Sequence, residues 1–156
     1  MAALNRAFGL TLPPEEAQYL ELYLSAYLGA EDPWGSAQEM ELRNLEAALI
    51  REMEKALHTD LSGYTSLRDD LYCHLRPMLL QVEQNIRTEN PQLDTIRTAY
   101  PGLWKATRAA CDAVQQQFVL PAISDAEAAY LAMHFGAVLE QNAMFRLRLR
   151  VVVACP

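Results

Sequence analysis

The sequence predicts an all-α protein, and three observations carry that expectation. Apolar residues recur at helical spacings along nearly the whole chain. Proline- and glycine-bearing breaks, among them EDPWGS (31–36), Gly63, Asn90-Pro91, Tyr100-Pro101-Gly102 and Pro121, cut it into helix-length pieces. With 51% hydrophobic and 21% charged residues over 156 positions, the composition is that of one globular domain and not of a disordered chain.

Taken in order, Pro13-Pro14-Glu15-Glu16 starts a first helix, with proline in the first turn and acids at the positive end of the helix dipole. Tyr19, Leu20, Tyr23, Leu24 and Tyr27 give it an apolar stripe to about Gly29, and EDPWGS is the candidate domain boundary. A long amphipathic helix follows from Ala37 to His58, its stripe running through Met40, Leu45, Leu49, Met53 and Leu57. The next runs from about Ser66 to Thr88 and buries Leu67, Leu71, Leu75, Met78, Val82 and Ile86; Pro77 inside it cannot donate to Cys73 and predicts a kink near His74. A short helix at 92–98 and another at 102–118 come next. Ser124, with Glu127 three positions on, forms a capping box for a last helix to about Gln141. The tail RLRLRVVVAC (146–155) is β-prone and unlike the rest.

Net charge excludes some functions. At −7 the chain repels phosphate backbones, so any nucleic acid must be held by a domain other than this one. Cys73, Cys111 and Cys155 are odd in number and widely spaced, which suits a reduced, cytosolic setting better than a disulfide framework or zinc module. No apolar run reaches membrane-spanning length, and the N-terminus lacks a basic region followed by an apolar core. There is no GxSxG, phosphate-binding glycine loop or HExxH, and the acidic runs read as solvated helix faces.

Three histidines remain. His58 ends a helix, where an imidazolium suits the dipole. His74 lies among Leu71, Leu75 and Met78, and His134 among Tyr130, Leu131, Phe135 and Val138. Either is read as a hydrogen-bonded, half-buried core residue, a metal ligand or a covalent phosphate carrier. Metal is weakly supported, because no further ligand is spaced to join them. The third reading needs no ligand cluster. Imidazole is nucleophilic near neutral pH, and phosphorylation places a charge of roughly −2 on an apolar helix face, a strong switch at any contact.

One partial repeat is visible: LPPEEAQYLELYL (12–24) aligns with ISDAEAAYLAMHF (123–135), placing Tyr23 over His134. The motifs LYCHLRPML (71–79), NPQLDTIRTAYPGLW (90–104) and ISDAEAAYLAMHFGAVLE (123–140) then resemble, in order and spacing, those of the PTS regulation domain, the PRD of bacterial sugar-responsive antiterminators and activators. The resemblance implies a compact five-helix bundle over residues 37–142 that commonly dimerises, is not an enzyme and needs no cofactor. It implies phosphorylation of His74 and His134 by phospho-HPr or sugar-specific enzyme II components of the phosphotransferase system. The family often carries arginine seven residues after the first histidine; here Gln81 stands there, with Arg76 and Arg87 nearby.

By the same resemblance residues 1–30 are the end of a preceding PRD, silent at Tyr23, and 31–36 are a linker. Residues 143–156 are similar to a linker and the first strand of a truncated enzyme IIB-like domain, with Cys155 at its phosphocysteine position. Two rival expectations stand beside the phosphorylated regulator: a degenerate PRD that serves only dimerisation or docking, favoured by Gln81 and Tyr23, and a metal- or small-molecule-sensing bundle.

Overall fold

The structure, a computed structural model, describes the backbone of residues 36–84 and 86–153 and the side chains of residues 37–84 and 86–141. Among the described residues it contains five helices and no strand: α1 (Ser36–Leu57), α2 (Thr65–Glu83), α3 (Leu93–Ala99), α4 (Pro101–Phe118) and α5 (Asp125–Val153). The expected all-α five-helix bundle is therefore present. The expected helix at 13–29, Tyr23 and Cys155 lie outside the described residues.

Burial of one stripe per helix assembles the bundle. α1 packs most extensively on α4, α4 on α5, and α2 bridges α1 and α5; the short α3 lies against α4 and α5. In α1 the buried stripe is Leu42, Leu45, Leu49 and Met53. Met40, expected on that stripe, is 64% exposed instead. The 3.6-residue turn explains it: Leu42 continues the Leu45–Leu49–Met53 row one turn back, and Met40 falls on the opposite side. In α2 Leu67, Leu71, Leu75 and Met78 are buried, and the helix passes through the buried Pro77 without ending.

Both helix–loop junctions after α1 and α4 are closed by left-handed residues, His58 (φ 51°) and Val119 (φ 54°). Thr59 N–H reaches back to the Glu54 carbonyl at 3.3 Å and Leu120 N–H to that of Gln115 at 3.1 Å, the long return bond of a Schellman cap. A β-branched valine is a poor occupant of that conformation, and its side chain, 89% exposed, packs on little to compensate. Val119→Gly is therefore expected to stabilise the fold by about 1 kcal/mol, read as a higher melting temperature by circular dichroism.

Two boundaries differ from expectation. α2 stops at Glu83, not near Thr88. Gln81 ends it, because its carbonyl accepts Ile86 N–H (2.9 Å) while its side-chain oxygen accepts the Thr88 hydroxyl (3.0 Å), turning the chain back. The β-prone stretch after 145 is helical as far as Val153, not a strand. No glycine or proline interrupts residues 137–153, so nothing breaks the hydrogen-bond ladder once α5 has formed, and β-propensity is the weaker constraint. No helix among the described residues is long and apolar enough to cross a membrane.

Candidate functional site

The site arises at the edges of two core stripes. In α2, Leu71, Leu75 and Met78 point into the core, and His74 sits one position to the side of that row with 20% of its side chain exposed. In α5, Leu131, Phe135 and Val138 are buried while Tyr130 and His134, four residues apart, form the half-buried margin of the same face. Packing α2 on α5 brings the margins together. The His74 and His134 ring centroids lie 5.2 Å apart at an interplanar angle of 50°, and Tyr130 lies 5.8 Å from His74 at 45°.

A third group joins them from the start of α5. Ser124 caps that helix, its hydroxyl oxygen accepting Glu127 N–H at 3.2 Å. The Glu127 side chain is buried, and its Oε2 lies 3.4 Å from His74 Nε2. Neither of those atoms has solvent access or a directional hydrogen bond, so the contact is an ion pair whenever the imidazole is protonated. The three side chains line an open cleft of about 290 Å³, whose walls also include Asp70, Cys73 and Gln81. No lysine or arginine is among the described residues lining it; Arg76 and Arg87 are absent from its walls.

The Asn-Pro segment straps this cleft. Tyr130 donates its hydroxyl to the Glu89 carbonyl at 3.1 Å, and the Asn90 amide donates to the Ala126 carbonyl at 3.4 Å. Asn90 Oδ1 accepts Gln92 N–H at 2.8 Å, setting the turn before α3. Arg97 of α3 pairs with Asp125, and Arg108 of α4 donates to the Ile123 carbonyl at 3.0 Å, so the first turn of α5 is held from three sides. The first and third sequence motifs thus line the cleft, and the second holds the start of α5 beside it.

A search of family profiles matches the PRD domain over residues 47–138, from mid-α1 to Val138 of α5. The chain belongs to the PRD family. Two curated relatives, both from Bacillus subtilis, are similar over most of it. The transcriptional regulator ManR is 29% identical over 143 residues, covering 88% of this chain and 22% of ManR. The probable licABCH operon regulator is 25% identical over 161 aligned residues, covering 97% of this chain and 24% of that protein. The chain therefore spans less than a quarter of the length of either relative. No solved structure gives a significant match.

Within the PRD, the sequence-predicted pair His74 and His134 is brought together, while His58 stands exposed at the end of α1, outside the cleft. Among the described residues no set of three or more histidine, cysteine or acidic side chains is placed to hold a metal ion. Cys111 is buried in the core, which pushes its thiol up to about 12 and leaves it unreactive. Sequence reasoning missed Glu127 as a site residue, assigning it only to the helix cap. The available signal was its spacing, two turns before His134 on the same face of α5.

Burial holds the His134 pKa below the ordinary imidazole value, charge on His74 lowers it further, and Asp70 opposes both. A lowered folded-state pKa means that the unfolded chain binds this proton more readily. The stability contributed by neutral His134 is therefore complete above about pH 6.5 and is lost as pH falls toward the folded pKa. His134→Gln is expected to flatten that limb of a stability–pH curve measured by urea unfolding. An unchanged slope between pH 7 and 5 contradicts it.

Proposed function

We propose that this PRD is the regulatory module of a bacterial sugar-responsive transcriptional regulator, an antiterminator or an activator, switched by phosphorylation at the His74–His134 cleft. The observation that carries this reading is the meeting of the two motif imidazoles, 5.2 Å apart, at the half-buried rim of an open cleft. A nucleophilic ring there is reachable by a donor protein and is seated on an apolar face that a phosphoryl charge perturbs. The proposed donors are phospho-HPr and sugar-specific enzyme II components. The likeness to the transcriptional regulator ManR and to the probable licABCH operon regulator supports a role in transcription.

In this reading sugar flux sets the phosphorylation state, the added charge shifts a homodimer contact, and a nucleic-acid-binding domain outside this chain reads the change. The module is not an enzyme, takes no cofactor, acts in the cytoplasm and does not enter a membrane. Incubation with enzyme I, HPr and phosphoenolpyruvate is expected to place acid-labile phosphate on this cleft and to change the sedimentation behaviour. Absence of phosphate from both histidines overturns the reading.

A second reading, a docking or dimerisation module without phosphorylation, draws on Gln81. Its side chain is buried and accepts the Thr88 hydroxyl, so it fastens the strap and brings no positive charge to the cleft. Glutamate or glutamine at both His74 and His134 with no effect on assembly or reporter output is the result that favours this second reading.

A further inference from the structure

Resting on the phosphorylation reading above, the geometry points to a division of labour between the two histidines: His134 is the phosphoryl acceptor, and His74, held by Glu127, is its cationic partner. The two rings are not equivalent. Glu127 Oε2 lies 3.4 Å from Nε2 of His74, and both atoms are closed to solvent. A phosphoryl group on Nε2 must displace a carboxylate that is itself only 3% exposed, and a dianion on either nitrogen of His74 stands beside that carboxylate. Among the described residues no carboxylate is paired with His134 in this way; its ring lines the open cleft 5.2 Å from His74.

Among its described lining residues the cleft also lacks the basic side chain that a phosphoryl group ordinarily meets. Asp70 and Glu127 face it, and no lysine or arginine is among its described lining residues. Among these described residues the remaining source of positive charge is a protonated imidazole. The Glu127 carboxylate stands against His74, so an imidazolium there gains an ion pair, while the ring of His134 lines the cleft with a nitrogen lone pair available to attack. The depressed pKa of His134 agrees with this assignment. Two groups of one kind whose surroundings separate their protonation states commonly mark an acid–base or nucleophile–stabiliser pair.

The transfer step balances without another reactant. The neutral nitrogen of His134 attacks the phosphorus of a phosphohistidine on the donor protein. An N–P bond forms to His134 as the donor N–P bond breaks. The released electron pair returns to the donor ring, which leaves as neutral imidazole, retaining the proton on its other nitrogen. His134 likewise keeps the proton on its second nitrogen, and the His74 imidazolium, anchored by Glu127, faces the transferred group.

The test loads the full chain with two probes, phosphoramidate alone and phosphoenolpyruvate with enzyme I and HPr. Intact mass and electron-transfer fragmentation at neutral pH then read stoichiometry and site. The expected result is one phosphoryl group per chain, on His134. His74→Ala is expected to slow loading roughly 10- to 100-fold, the worth of one charge-assisted contact, and His74→Lys to recover most of the rate. Circular dichroism checks folding of the variants, and site mapping on the wild type stands without them. Phosphate on His74, two phosphates per chain, or a His74→Ala rate equal to wild type overturns the proposal while leaving the broader reading intact. A wild-type chain that takes phosphate from neither donor overturns both.

Discussion

Phe135→Ala is expected to destabilise the bundle by about 3–5 kcal/mol, against a total stability on the order of 5–15 kcal/mol for a domain of this size. Phe135 heads the large side chains that are closed to solvent, at 0% exposure, and belongs to the core cluster built from α1, α2, α4 and α5. Truncation removes the aromatic ring's transfer free energy and leaves a void whose walls, including Leu131 and Val138 on its own helix, are fixed by three other helices. Urea unfolding followed by circular dichroism reads the loss as a lower midpoint at similar slope. Met40→Ala supplies the contrast: at 64% exposure it is expected to change stability by no more than about 0.5 kcal/mol. Equal effects of the two substitutions contradict the burial pattern.

That contrast shows where the sequence is informative. Helix existence follows from spacing, because burying a stripe at a 3.6-residue period is the main force placing α1, α2, α4 and α5. Which residue begins the stripe is harder to read. Met40 and Leu42 are both apolar, and the choice between them rests on the partner helix, α4, which the local sequence does not contain. The end of α2 was obscured for a similar reason. Ile86 continues the apolar period, yet Gln81 takes its N–H and the Thr88 hydroxyl in a turn that periodicity does not register. For the tail, β-branched valines argued for a strand, but a strand needs a neighbour to pair with, and a helix without breakers closes its own hydrogen bonds.

The candidate site was legible as two histidines in matching apolar surroundings, since each lies at the edge of a stripe that the sequence reveals. Their separation in sequence hid their separation in space, which α2–α5 packing sets at 5.2 Å. Glu127 stayed hidden for a different reason. An N3 glutamate after a capping serine has a sufficient local explanation, and Ser124 does cap the helix. Only the placement of α2 shows that the same carboxylate faces His74.

Glu127→Leu is expected to separate function from folding more sharply than any change at the histidines. Replacing both members of a buried acid–imidazole contact by apolar side chains is often neutral, because desolvation offsets most of the attraction; replacing Glu127 alone leaves one buried atom, His74 Nε2, without its carboxylate. The neighbours Ala128 and Ala129 are fully buried and keep α5 packed whatever stands at 127. The stability cost is therefore expected to stay near that of one unpaired buried group, about 1–3 kcal/mol, below that of Phe135→Ala. Phosphoryl loading is expected to fall at least about tenfold, because His74 is left without the carboxylate that pairs with it and orients its ring. Glu127→Gln keeps the shape and one acceptor oxygen but not the charge, so it is expected to fall between the two. Loading of all three proteins, measured beside their urea midpoints, distinguishes the causes. Loss of loading in step with loss of stability assigns Glu127 to the fold, whereas loss of loading at constant midpoint assigns it to the cleft.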